Sequence, residues 1–208
     1  MHKDVVIVGA GPAGIFTALE MLKKGSRQKI LIVEKGRAVE ERRCPKNKTG
    51  QCVSCRPYCH ITTGFSGAGA FSDGKLSLSY EVGGDLPSLI GAEKAQETID
   101  YADKIYLEFG ADSHVEGLGN TEEVKAIRKR AIRAGLKLVD CPIRHLGTEK
   151  AQELYYAIER HLLENGVEIL FGYECTNLIL DGAVCRGVRV ANGKEKMEIT
   201  CGHTVIAT

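Results

Sequence analysis

Asp4-Val5-Val6-Ile7-Val8-Gly9-Ala10-Gly11-Pro12-Ala13-Gly14 lies near the start of the chain, and its reading decides the fold. Residues 4–8 form a continuous apolar, β-branched run, the pattern of a strand buried on both faces within a parallel sheet. A glycine turn follows at once. Residues 13–24 then place Ile15, Ala18, Leu19 and Leu22 on one side of a helix, which Gly25 closes. Lys29 to Val33 reads as a second strand with Glu34 at its end. Strand, turn, helix and strand follow one another at the length of a βαβ unit.

Within that unit, Gly9-x-Gly11-x-x-Gly14 has the spacing of a dinucleotide-binding turn. Each glycine has its own task. Gly9 permits the tight turn, Gly11 lets the backbone approach a pyrophosphate, and Gly14 lets helix and strand pack closely. Pro12 and Ala13 sit in the first helical turn, whose N–H groups and partial positive charge suit phosphate. Glu34, twenty positions past Gly14, offers a carboxylate to a ribose diol, with Lys35 beside it. An acid at that place speaks against a 2′-phosphate. It does not separate FAD from NAD.

Working outward, residues 35–90 show no clear periodicity, a length that points to a functional segment. The glycine-rich run Gly64-Phe65-Ser66-Gly67-Ala68-Gly69-Ala70-Phe71-Ser72-Asp73-Gly74-Lys75 falls inside it. Small residues there allow backbone to lie against a flat ring or a phosphate. Ser72, Asp73 and Lys75 bring polar groups to the same place, and Lys75 is suited to hold positive charge near a flavin. Helices are expected over 92–109, 122–134 and 149–164, the last capped by Thr148. The basic end of the second suits the helix dipole and reads as a solvated face. Residues 136–142 read as a short strand or extended link. Three strands in a meander (167–172, 175–181, 184–191) follow, with turns at Asp181-Gly182 and Asn192-Gly193. Two more strands are expected at 196–200 and 203–208.

These residues resemble a family of FAD-dependent dehydrogenases of the two-dinucleotide-binding flavoprotein class. The likeness is carried by residues 4–14, by 64–76, by Arg144-His145-Leu146-Gly147-Thr148 and by the closing Val205-Ile206-Ala207-Thr208. It implies non-covalent FAD, an oxidoreductase activity, and cofactor contacts from Gly67, Ala68, Gly69, Ala70, Ala207 and Thr208. That class continues Ala-Thr-Gly at this strand, so a further C-terminal portion is expected. Arg144-His145 stands either as a site contact or as a surface turn.

Cys44-x7-Cys52-x2-Cys55-x3-Cys59 gathers four of the eight cysteines. Four thiolates can complete a zinc site or hold an iron–sulfur cluster, and this spacing specifies neither. A redox-active dithiol at Cys52 and Cys55, or plain free thiols, are the other readings. Cys141, Cys175, Cys185 and Cys201 sit in apolar, strand-like surroundings and read as core.

Composition narrows the classes. The chain has 208 residues, 43% hydrophobic and 26% charged, with 24 glycines and net charge +1. Such a balance offers no electrostatic footprint for nucleic acid or an anionic membrane. With no signal segment or apolar span in the sequence, a cytoplasmic setting is expected. The expected fold is α/β: a Rossmann-type parallel sheet with a β-meander and an inserted helical segment. The expected division is 1–84, an insertion at 85–140, and 141–208. The expected function is an FAD-binding oxidoreductase of unspecified substrate, with NAD(P)H as a candidate electron donor. A nicotinamide enzyme without flavin, a flavoprotein of tRNA-modification type and a non-catalytic binding module stand as alternatives.

Overall fold

A computed structural model of the chain describes residues 1–71, 74–119 and 121–208, and of Thr148 the backbone alone. Its elements run β1 (His2–Val8), α1 (Pro12–Lys23), β2 (Ile30–Glu34), the short α2 (Lys46–Thr49), β3 (Lys75–Ser77), α3 (Leu86–Ile90), α4 (Ala92–Glu108), α5 (Glu122–Arg133), β4 (Ile143–His145), α6 (Thr148–Glu164), β5 (Glu168–Phe171), β6 (Glu174–Asp181), β7 (Val184–Ala191) and β8 (Lys196–Ile206). They group into two units, Met1–Phe71 with Tyr155–Thr208, and Ser72–Leu154.

The first unit is built on a six-stranded sheet of order β5-β2-β1-β8-β7-β6. β5, β2, β1 and β8 are parallel neighbours, while β6, β7 and β8 pair antiparallel. The apolar runs account for the centre. Val5, Val6, Ile7 and Val8 of β1 and all five residues of β2 are buried. Val6, Val8, Leu31 and Val33 share one face with Val188, Val190 and Ile199. On the other face, Ile7 looks toward Gly14 at the start of α1. Burial of each such side chain stabilises the fold by roughly 1.5–3 kcal/mol.

Two strand expectations change. The run 167–172 is not the first strand of the meander: β5 pairs parallel with β2 at the opposite edge of the sheet. Lys196 to Ile206 is one strand rather than two. Up to Thr200 it pairs with β7, and from Thr200 onward with β1. The interval expected between two strands is where β8 exchanges one partner for another.

In the second unit β3 and β4 form a two-stranded ribbon. β4 follows the extended 136–142 link, and β3 lies within the stretch that lacks periodicity. Arg144 on β4 is buried; its Nε and Nη2 donate to the two carboxylate oxygens of Asp103 on α4 at 2.6 and 2.7 Å. Another of its nitrogens donates to the carbonyl of Asp112. That bidentate pair holds the guanidinium above its ordinary pKa and gives Arg144 a tethering place inside the unit. α5 buries no residue, and Thr121 caps it by accepting from Val124 N–H. Among the described residues no helix is long and apolar enough to cross a membrane.

Candidate cofactor site

The parallel strands bring their C-terminal ends to one edge, where a cavity of about 350 Å³ opens. Gly9, Gly11, Glu34, Lys35, Gly67, Ala207 and Thr208 all line it. This is the edge at which open α/β sheets take ligands. Seven of the expected cofactor residues, from four separate stretches of chain, therefore meet at one place.

The glycine turn is shaped by close approach. Gly9 has φ +102°, and a Cβ there would lie 2.4 Å from the carbonyl oxygen of Ala207. A Cβ on Gly14 would lie 2.0 Å from the carbonyl oxygen of Gly9. Gly11 differs: its Cβ would meet no protein atom within 4 Å, because it would point into open space. Pro12 begins α1, and no side chain caps that helix. Its first-turn dipole and the bare Gly11 backbone suit an anionic ligand such as a pyrophosphate.

Glu34 closes the other side. Its carboxylate is buried, and one oxygen accepts from Ala10 N–H at 2.9 Å, the other from Gly36 N–H at 2.7 Å. Two amide donors fix the rotamer and offset the cost of burying the charge. The lone pairs not used by these bonds are what a ribose diol would engage.

The second glycine run is stitched to this turn by backbone. Ser66 N–H donates to the Ala10 carbonyl at 2.7 Å, and Phe65 N–H to the Arg37 carbonyl at 3.0 Å. Gly36 and Gly64 touch so closely that a Cβ on Gly36 would lie 2.4 Å from Gly64 N. Gly67 thereby reaches the cavity wall, and Gly69 and Ala70 enter a single 3₁₀ turn behind it. Ala68 precedes that turn, and its carbonyl accepts from Phe71 N–H. Ser72 and Asp73 lie outside the described residues. Lys75 sits on β3 opposite His145, in the second unit.

Arg42 was not legible in the sequence. It is buried, 2% exposed, and faces no carboxylate at contact distance in the described structure. Its Nε donates to the carbonyl of His60 at 2.9 Å, and its other nitrogens to the carbonyls of Ile61 and Phe65. The guanidinium also stands 4.4 Å from the Phe71 ring centroid. Burial pushes its pKa down to about 10, against the charges of Glu34 and Cys59, which raise it. One fork-shaped cation thus ties the cysteine loop to the glycine run. The sequence signal is slight: an Arg in Arg42-Arg43 beside Cys44. Thr62, Thr63 and Tyr173–Cys175 also line the cavity and carry no motif that would have marked them.

No metal centre is found at the expected cysteines. Among the described residues no three His, Cys, Asp or Glu side chains are grouped to hold a metal ion. Cys44, Cys52, Cys55 and Cys59 are free thiols around a hollow of about 310 Å³. A tetrahedral site needs four sulfurs converging at about 2.3 Å from one point. Here the loop is held by other means, namely the Gly50 cap of α2 and the Arg42 bonds.

Fold and topology together define the class: the first unit has the Rossmann-type α/β fold of FAD/NAD(P)-binding flavoproteins. Residues 4–42 match the FAD binding domain family. A stretch of 72 residues is 40% identical to an uncharacterized protein of Clostridium beijerinckii (strain ATCC 51743 / NCIMB 8052), covering 35% of this chain and 13% of that one. Among solved structures, 3-ketosteroid-delta4-(5alpha)-dehydrogenase from Rhodococcus jostii RHA1 aligns at TM-score 0.60 and 14% identity, over 100% of this chain and 46% of its own. L-amino acid deaminase from Proteus vulgaris aligns at TM-score 0.54 and 16% identity, over 99% and 47%. Glycine oxidase from Bacillus cereus ATCC 14579 aligns at TM-score 0.53 and 18% identity, over 99% and 56%. These likenesses concern the fold, and the chain spans about half the length of those structures.

Proposed function

We propose that this chain is the FAD-binding part of an FAD-dependent oxidoreductase. The observation that carries the reading is the meeting of the uncapped α1 start and bare Gly11, the pinned Glu34 carboxylate and the Ser66–Gly67 backbone around one cavity. In this reading Gly9 to Gly14 hold the pyrophosphate, Glu34 takes the ribose diol, and Lys35 lies at the same end. Gly67 to Ala70 and Ala207–Thr208 provide close backbone for the rest of the cofactor. Bound FAD would supply hydride or electron transfer, and the protein's part is to orient it and tune its potential. The substrate and the electron donor belong to the whole protein, with NAD(P)H as the donor to test first. The near-neutral charge supports a small-molecule substrate over nucleic acid. Eight free cysteines support a reducing, cytoplasmic setting.

The experiment is a titration of flavin-stripped protein with FAD, read by flavin fluorescence and equilibrium dialysis. Saturable uptake of one FAD per chain is expected, with Glu34→Ala much weaker. Uptake of NAD but not FAD would replace this reading with the nicotinamide one.

A further inference from the structure

We propose that Cys59 is the nucleophile of a thiol–disulfide exchange site: it takes an anionic low-molecular-weight disulfide from a cation-lined cavity and passes the oxidation to a second cysteine on the adjoining hollow. The inference goes beyond the flavin reading and does not depend on it. Two cavities meet at this residue. One, of about 450 Å³, is lined by Lys35, Arg37 and Arg56 as well as Cys59. The other is the hollow that Cys59 shares with Cys44, Cys52 and Cys55. Cys59 is an exposed, free thiol residue that borders both spaces.

The local backbone prepares that sulfur. Cys59 opens a tight turn in which Thr63 N–H donates to its carbonyl at 3.0 Å. The backbone of Ile61 and then of Thr62, with the Thr62 side chain and the Arg42 charge, favours the thiolate form. Together they hold the thiol below its ordinary range, the condition for a nucleophilic cysteine. The other ionisable groups nearby are His60, whose Nδ1 meets the Arg43 carbonyl, and Glu174, which accepts from the Tyr58 hydroxyl at 2.9 Å. Three cations against one carboxylate on the first cavity favour a disulfide that carries carboxylates.

The exchange balances. The Cys59 thiolate bonds to one sulfur of the incoming disulfide, whose S–S bond breaks, and the other half leaves as a thiolate that takes a proton from water. A second cysteine of the hollow then loses its proton and attacks the Cys59 sulfur. The new bond is an intramolecular disulfide, and the second half leaves as a thiol. Two protein thiols are oxidised and one small disulfide is reduced to two thiols.

The test exposes the reduced chain to oxidised glutathione near pH 7, followed by intact mass, peptide mapping and thiol count. The expected result is loss of two thiols, no retained glutathionyl group, and a bridge from Cys59 to Cys44, Cys52 or Cys55. Cys59→Ser should slow consumption about tenfold or more. The triple variant Cys44→Ser/Cys52→Ser/Cys55→Ser should stop at a mixed disulfide on Cys59. Cystamine, which is cationic, should react more slowly, and Arg37→Ala/Arg56→Ala should narrow that gap. Iodoacetamide on the wild-type chain should label Cys59 first, a readout that needs no variant to fold. Bridging in Cys59→Ser at the wild-type rate, or labelling of Cys59 no faster than of exposed Cys52, overturns the proposal. Equal rates for the two disulfides overturn its anionic specificity. None of these readouts involves flavin, so their failure is separate from a failure of FAD uptake.

Discussion

Ser66 donates its backbone N–H to the Ala10 carbonyl at 2.7 Å, while Ala10's own N–H goes to Glu34. One residue of the dinucleotide turn thus holds the second glycine run on one side and the acid of β2 on the other. Their shared cavity depends on this arrangement, and four predictions follow from it and from the charges packed around it.

Gly14→Ala and Gly11→Ala should part company. A methyl on Gly14 would lie 2.0 Å from the Gly9 carbonyl oxygen, so helix and strand must separate. A loss of about 2–3 kcal/mol is expected, read by urea unfolding. A methyl on Gly11 meets no protein atom within 4 Å, and the backbone there is ordinary at φ −74°. The Gly11 variant should keep the wild-type Tm and lose FAD affinity, because its methyl occupies the ligand's space.

Glu34→Gln keeps the shape of the side chain but turns one acceptor oxygen into a donor. Both oxygens already accept from backbone N–H groups, so the amide must face one donor with another. FAD affinity should fall by about ten- to a hundredfold, the effect of 1.5–3 kcal/mol for a charge-assisted bond. Fluorescence titration against the wild-type chain measures it.

Arg42→Lys should fail to substitute for arginine. The fork reaches the carbonyls of His60, Ile61 and Phe65 at once, and a single ammonium cannot match that geometry. Buried acceptors left without donors cost about 1–3 kcal/mol each. Unfolding in urea should show a loss of that order for Arg42→Lys and a larger one for Arg42→Ala. Protease cleavage within residues 44–63 should rise in both.

Glu159, buried on α6, gives the fold a pH dependence. Burial raises its pKa from 4.5 to about 7, even though Val39 N–H donates to it, and Glu40 and Glu41 push the same way. A raised acid pKa means that the folded state holds the proton more tightly than the unfolded state. Its contribution is therefore fully present below about pH 4.5, is lost as pH rises through about 7, and stays low above that. Glu159→Gln keeps the acceptor for Val39 and removes the charge. Its Tm should match the wild type near pH 5 and exceed it at pH 8, by roughly 1–3 kcal/mol in stability. Parallel Tm curves for the two chains would show that Glu159 is not the group responsible.

The βαβ unit and the dinucleotide turn were legible because every signal for them is local. A β-branched run, a glycine spacing, a helical period and an acid at a strand end all fall between Asp4 and Glu34, and side-chain sterics decide each of them. The rest was settled only by contacts between residues far apart in sequence. β5 joins the far edge of the sheet because β2 offers its free side there, and β8 is continuous because β7 and β1 accept its two halves. Arg42 reads in sequence as an ordinary surface cation, and only the converging carbonyls of 60, 61 and 65 make its burial tolerable. The cysteine spacing allowed a metal knot, yet spacing does not determine where four sulfurs point. The turn at Cys59 and the tether of Arg42 set them around a hollow instead.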